Sequence, residues 1–263
     1  MIKAYAKVNL KLKIKGKLAN GYHELDMINA KISLYDSIYI KKDKENKITY
    51  SNFQIHKEED TIYKMIVALQ NKFSTLPNLN IYIKKRIPVG FGLGGMSSDA
   101  SSILNYLDKK FKLNMSLEDK IEFIKQFGTD MIYCLYDTPA IVQGIGDKVI
   151  PINLDKYHKI LLVNPNLYIS TKEMYQEILN FNLNNSDLEN DFEYIARYKY
   201  PYIDEIIKKI EGICSSKVQM SGSGSAIIVL NPKTRDCKKI KREFRNLQIK
   251  RYNIKKGRKY GKF

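Results

Sequence analysis

Residues 88–100 read Pro88-Val89-Gly90-Phe91-Gly92-Leu93-Gly94-Gly95-Met96-Ser97-Ser98-Asp99-Ala100, and no other stretch of the chain constrains the fold as tightly. Four glycines fall within six residues, so the backbone can take positive φ and approach a ligand closely. Backbone N–H groups in such a loop can converge on one anion. The strand-like alternation of Leu79–Ile83 precedes the loop, and a helix is predicted from about Ser98 to Phe111. A helix that starts here brings its partial positive charge to the same place, and Ser97 and Ser98 add hydroxyls. The segment therefore reads as a phosphate cradle. No Gly-Lys-[Ser/Thr] closes it, so it is not a Walker A loop. Gly90 to Gly95 has dinucleotide-like glycine spacing, but no ribose-binding acid is clearly positioned after it. On glycine count alone, a flexible turn with a serine cap remains the alternative.

Around the loop, strands and helices alternate irregularly, which favours α+β over a doubly wound parallel sheet. Residues 2–14 alternate as a half-buried strand, with Val8, Leu10, Leu12 and Ile14 on one side and Lys7, Asn9, Lys11 and Lys13 on the other. Gly16–Gly21 is turn chemistry. Residues 25–42 read as two strands joined by a turn at Tyr35-Asp36-Ser37. Asp60–Phe73 has helical periodicity, and Ser116 followed by Asp119 resembles a capping box opening a helix to about Phe127. Beyond a composition shift near Pro151, the pattern predicts a strand at 159–164, helices at 171–180 and 202–213, a loop at 180–185 and a strand at 226–230. The basic end, 250–263, reads as a solvated tail or a strand capping a sheet. A boundary near 150 implies an N-terminal domain, 1–150, and a C-terminal domain, 151–263, as two lobes with a ligand cleft between them.

The net charge of +17 raises the question of a polyanionic partner. Only 7 of the 45 cations are arginine, the residue suited to bidentate phosphate and base recognition. The chain also shows no zinc-finger, RNA-recognition or helix-turn-helix signature. Neither a nucleic-acid nor a membrane partner is therefore expected. The longest apolar runs are too short to span a bilayer. Cys134, Cys214 and Cys237 are odd in number and scattered, which indicates no disulfide framework or structural zinc and fits a reducing cytoplasm.

Several segments together resemble the GHMP small-molecule kinases. They are Ala6-Lys7-Val8-Asn9-Leu10, Gly21-Tyr22-His23-Glu24-Leu25, the glycine loop, Gly128-Thr129-Asp130, Asn190-Asp191-Phe192-Glu193 and Met220-Ser221-Gly222-Ser223-Gly224-Ser225. The resemblance covers about residues 2–230. It implies the two-lobed GHMP kinase fold and an ATP-dependent phosphotransferase that acts on an alcohol, using Mg²⁺ and small-molecule substrates. The Gly-Tyr-His and Asn-Asp-x-Glu elements narrow it to the branch whose substrate is a cytidine-diphosphate-linked polyol of non-mevalonate isoprenoid synthesis. A homoserine or mevalonate type of kinase is the alternative.

The resemblance implies that Asp130 accepts the proton of the attacking hydroxyl, with Lys7 beside it. Pro88, Gly90, Gly92, Leu93, Gly94, Gly95, Ser97 and Ser98 line the ATP phosphates, and Ser98 is the candidate Mg²⁺ contact. Asn9, Tyr22, His23, Tyr175 and Gly222 form the substrate side, with Tyr22 and Tyr175 on opposite faces of the cytosine. The Asn190 segment is expected to serve structure rather than chemistry. Read alone, each residue has a plainer role: Asp130 as a helix cap, Lys7 as a surface lysine, Tyr175 as helix packing. The chain departs from the family pattern at Phe91 and Met96, where glycine is usual, and at Ile132, where proline is common. It also has Asp60 in place of an adenine-associated Asn, and an Asp cannot donate as the amide does.

Overall fold

A computed structural model describes residues 1–183 and 186–257. The fold is α+β. Compact packing separates it into two units that interleave along the chain. The first takes 1–6, 34–88 and 94–137; the second takes 7–33, 89–93 and 138–263. The boundary expected near Pro151 falls inside the second unit, at the end of β6 (Lys148–Pro151). The physical reason lies in the first two strands. β1 (Ile2–Lys17) and β2 (His23–Lys42) pair with each other, and each runs continuously from one unit into the other.

β2 is therefore one long strand, and the turn expected at Tyr35-Asp36-Ser37 does not form. Asp36 reads as a turn residue because a carboxylate rarely sits inside a strand. Here it is fully buried and ion-paired, which removes the reason for the chain to turn toward water.

In the first unit, Ser37–Lys42 of β2 runs antiparallel to β4 (Leu79–Lys84), and β3 (Lys47–Tyr50) lies parallel on its far edge. α1 (Thr61–Lys72), α2 (Gly95–Phe111), α3 (Leu117–Lys125) and α4 (Asp130–Leu135) complete it. Ile62, Met65, Ile66 and Leu69 give α1 its apolar stripe, and Ile103, Leu104 and Leu107 do the same for α2. The capping box at Ser116 and Asp119 opens α3 as expected. α2 begins at Gly95, three residues before the sequence expectation, because the glycines permit the Gly94 left-handed cap that starts it.

In the second unit, Leu25–Asn29 of β2 pairs with β5 (Ala140–Gly144), which pairs with β6. A separate antiparallel sheet has the order β10-β7-β9-β8, built from Gln248–Asn253, Lys159–Asn164, Ile227–Leu230 and Val218–Met220. α5 (Thr171–Glu177), α6 (Asp191–Lys199), α7 (Pro201–Ile213) and α8 (Thr234–Glu243) accompany it. The basic end thus supplies a sheet strand over 248–253; residues 258–263, like 184 and 185 of the expected loop, lie outside the described residues. Among the described residues, no helix is long and apolar enough to cross a membrane.

Asp60 caps α1. Its Oδ1 accepts the backbone N–H groups of Ile62 and Tyr63 at 2.8 and 3.2 Å, and Tyr50 donates its hydroxyl to both carboxylate oxygens at 3.1 and 3.0 Å. The residue at the family's adenine-associated position is thus fully engaged in holding a helix start. Asp60→Ala removes the cap and strands the Tyr50 hydroxyl, and should cost about 1–3 kcal/mol, read as a lower urea midpoint. An unchanged midpoint would refute this role.

Candidate active site

β1 carries the first site residues, and the structure removes Lys7 from the surface. Residues Ala6–Leu10 are buried on both faces, and Lys7 is 5% exposed. Half-burial was expected because the polar residues alternate; tertiary packing covers their side as well. The Lys7 ammonium donates to Asn9 Oδ1 at 2.9 Å. Asn9 Nδ2 donates to Asn29 Oδ1 at 2.7 Å, and the Asn9 N–H donates to Ser221 Oγ at 3.1 Å. Burying an ammonium and two amides is expensive unless each finds partners. A chain with 38 lysines that hides this one in a polar network is using it for something beyond solubility.

The same network stitches the two glycine segments to β1. The Lys7 N–H donates to the Leu93 carbonyl at 3.0 Å, and Ser221 Oγ donates to the Gly92 carbonyl at 3.4 Å. The Ala226 N–H reaches the Phe91 carbonyl at 3.3 Å. Gly92 has φ +72°, and a Cβ there would strike the Ser221 carbonyl oxygen, so only glycine fits this approach. Gly222 (φ +59°) packs against Gly92 and Asn9 Oδ1. Asn190 fixes this second loop by donating to the Met220 and Gly222 carbonyls, both at 2.9 Å, and Glu193 accepts the Met220 N–H at 2.7 Å. Burial holds the Glu193 carboxyl above its usual range. The Asn190 segment is thus a brace under the Ser221–Ser225 loop.

In the first unit, α2 opens at Gly94 with no side-chain cap, and its first intrahelical bond runs from the Ser98 N–H to the Gly94 carbonyl. The N–H groups of Gly95, Met96 and Ser97 precede that bond and lead the helix dipole. Ser98 does not face outward. It is 1% exposed, and its hydroxyl donates to the Tyr5 carbonyl at 2.7 Å. Among the described residues, no group of three or more His, Cys, Asp or Glu could hold a metal ion. These residues do not supply a protein cage for Mg²⁺.

Asp130 is exposed and opens α4, but the cap position belongs to Thr129. Ser101 Oγ, buried in α2, lies 2.8 Å from both the Met131 and the Ser97 carbonyl oxygens and shares its one proton between them. One hydroxyl thereby fixes the α4 start, with its carboxylate, against the first turn of α2.

Three residues that sequence reasoning missed hold both ends of the glycine segment. Lys85 Nζ lies 2.5 Å from Asp36 Oδ2 and 2.5 Å from Asp99 Oδ2, and all three side chains are at most 1% exposed. Asp36 Oδ1 also accepts the N–H groups of Arg86 and, at 2.9 Å, Ile87. The cluster thus grips the chain entering the loop and, through Asp99, the first turn of the helix leaving it. A carboxylate on an otherwise buried face of α2 (Ser98, Ala100, Ile103, Leu104) was the available signal. Burial pushes Asp99 up to about 7, with Lys85 opposing and the neighbouring Asp36 carboxylate adding to the rise.

On the substrate side, the His23 and Tyr175 rings stack at 5.4 Å and 25°, and Phe192 meets Tyr175 edge-on at 4.9 Å. His23 Nε2 is buried without a hydrogen-bond partner, and burial lowers the pKa of the ring, with Lys17 adding. Tyr22 is 58% exposed and takes no part in the stack.

The chain is similar to known proteins over most of its length. Residues 60–144 match the N-terminal domain of the GHMP kinases. The 4-diphosphocytidyl-2-C-methyl-D-erythritol kinase of Thermodesulfovibrio yellowstonii is 31% identical over 261 residues, spanning 90% of this chain and 91% of that one. The enzyme of the same name from Clostridium tetani is 33% identical over 253 residues, 88% of this chain and 90% of its own. A crystal structure of a 4-(cytidine 5'-diphospho)-2C-methyl-D-erythritol kinase shares the fold with a TM-score of 0.80 at 23% identity, covering 97% of this chain and 99% of that one.

The buried cluster generates a stability prediction. Lys85→Met leaves two buried carboxylates facing each other and should destabilise the protein by about 3–5 kcal/mol at neutral pH. The folded state holds the Asp99 proton up to about pH 7, against 3.8 as the ordinary value. Its contribution to stability is therefore greatest in acid and declines as pH rises through that window. Melting curves should show Asp99→Asn gaining on the wild type between those two values; a constant gap would overturn the assignment.

Proposed function

This chain belongs to the 4-diphosphocytidyl-2-C-methyl-D-erythritol kinase family of GHMP kinases, and we propose that it transfers the γ-phosphoryl group of ATP to the 2-hydroxyl of that diphosphocytidyl polyol. The reaction is a step of non-mevalonate isoprenoid synthesis. The observation that carries the substrate assignment is the His23–Tyr175 pair. It brings an imidazole and a second aromatic ring together, the side-chain types that hydrogen-bond to and stack on a pyrimidine.

Phosphoryl transfer asks for positioning and for charge neutralisation. Asp130 accepts the proton of the 2-hydroxyl as its oxygen bonds to the γ-phosphorus and the bond to the β–γ bridging oxygen breaks, releasing ADP. The Lys7 ammonium steadies the charge that develops on the attacking oxygen. The leading N–H groups of α2 meet the phosphate oxygens, supported by the uncapped helix start and the open glycine backbone. Asn9 and Gly222 line the substrate side, and Asn9 is held there by Asn29 and Ser221. Tyr22 covers the pyrimidine from solvent. Mg²⁺ would accompany ATP and neutralise phosphate charge, and the Ser98 hydroxyl, which donates to the Tyr5 carbonyl, would keep its lone pairs for the ion.

A coupled ADP-release assay tests this reading. Turnover should require the diphosphocytidyl polyol, and homoserine or mevalonate should not replace it. Asp130→Asn should lower kcat by about 10²–10⁴-fold. Absence of turnover on the cytidine substrate, or a variant close to the wild-type rate, would defeat the corresponding assignment. Tyr175→Ala should raise KM for the cytidine substrate by about tenfold with KM for ATP unchanged, since one stacked base contributes about 1–3 kcal/mol.

A further inference from the structure

The net charge is concentrated at the end of the chain in a way that a uniform lysine bias does not produce. Residues 233–263 hold 14 of the 45 cations but only 2 of the 28 acids, a net of +12 out of +17. The arginines are more selective still. Of the 7 in the chain, Arg235, Arg242, Arg245, Arg251 and Arg258 lie in this stretch. Arginine's planar fork fits phosphate oxygens, so a concentration of it in a lysine-rich chain points to phosphate rather than to solubility.

Among the described residues, the structure gathers several of these cations on one surface of the second unit. Arg235, Lys238, Lys239 and Arg242 recur at i, i+3, i+4 and i+7 of α8 and are all exposed, while Asp236, Cys237 and Ile240 turn inward. β10 adds exposed Arg251. The Arg251 guanidinium donates to the Pro232 carbonyl at 3.3 Å and to Thr234 Oγ1 at 3.4 Å, joining the strand to the start of the helix. On the neighbouring α7, Lys208 and Lys209 are paired with Asp204 and Glu205 at 2.6 and 2.7 Å. On α8, among the described residues, the recorded ion pair is Arg235 with its own neighbour Asp236 at 3.5 Å, and Glu243 is the one exposed acid. No large apolar side chain is exposed between Lys233 and Lys256.

We infer that the α8–β10 face is a docking surface for the phosphate backbone of a nucleic-acid strand, separate from the kinase chemistry. Backbone binding without base readout needs cations and no recognition motif, so the missing motifs do not argue against it. An anionic bilayer shares the phosphate chemistry. A face that docks there normally carries apolar side chains for the acyl boundary, and this one exposes none.

The test uses the full chain, a fluorescent RNA of about 20 nucleotides, and vesicles containing phosphatidylserine. RNA anisotropy should rise on binding, and affinity should fall about 100-fold from about 50 to about 200 mM salt, as expected for some five phosphate contacts on a single strand. The quadruple variant Arg235→Gln, Lys238→Gln, Lys239→Gln and Arg242→Gln should weaken binding at least tenfold while kcat and KM stay unchanged. Removing the same charge at Lys41, Lys44, Lys109 and Lys110 should leave RNA binding within about twofold. Any of four results overturns the proposal: no RNA binding at the lower salt, equal loss in both variants, tighter binding to vesicles than to RNA, or a fall in kcat/KM without loss of RNA binding. The last would make the face a steering field for the kinase's own anionic substrates.

Discussion

The buried contact of Lys85 with Asp36 and Asp99 is the constraint on which the first unit turns. A glycine-rich segment has little conformational preference of its own, so something else must set where it begins and ends. Asp36 holds the backbone at Arg86 and Ile87 on the way in, and Asp99 belongs to the helix turn on the way out. One ammonium joins the two. Two carboxylates and an ammonium cannot leave water without strong mutual compensation, so the arrangement tolerates little displacement of any member. The start of α2, which has no side-chain cap, is positioned by this buried cluster. Ser101 extends the same control to Asp130, because its hydroxyl ties α4 to α2.

The second unit solves a related problem with neutral groups. Asn9, Asn29, Ser221 and Asn190 form hydrogen bonds that hold two glycine segments against β1, and Lys7 is drawn into that network. Amides suit the task because each can donate and accept at once. Asn190 uses its amine on two loop carbonyls and its oxygen on the Phe192 N–H that begins α6. His23 and Tyr175 stack in the same unit. Phe192, on the same braced segment, supports the Tyr175 ring from its edge. The Asn-Asp-Phe-Glu segment thus joins the braced loop to the His23–Tyr175 pair.

Much of this was legible before any coordinates. The helix at 61–72, the strand at 159–164 and the capping box at Ser116 follow from periodicity and cap chemistry, which are local. Other features were not legible because they depend on distant partners. α6 and α8 carry too many polar residues for a clear apolar stripe, and what buries their few apolar positions lies elsewhere in the chain. Asp36 signalled a turn because its partner, Lys85, is 49 residues away. The alternating polar residues of β1 read as a half-buried strand, and alternation cannot tell a solvated face from one packed in a hydrogen-bond network.

The sequence by itself determined the chemistry. Four glycines before a helix, the Lys7-Val8-Asn9 and Gly21-Tyr22-His23 segments, and Asp130 after Gly128 are covalent facts that suffice to point to a GHMP kinase and to its substrate branch. Only the tertiary structure decided which polar groups are buried and with whom. It turned Lys7 inward, turned Ser98 toward Tyr5, set Asp60 under a helix and left His23 Nε2 without a partner. The reason is that motif identity is carried by residue order along the chain. Burial and pairing are carried by contacts between residues far apart in it, whose energies appear only once the chain has packed.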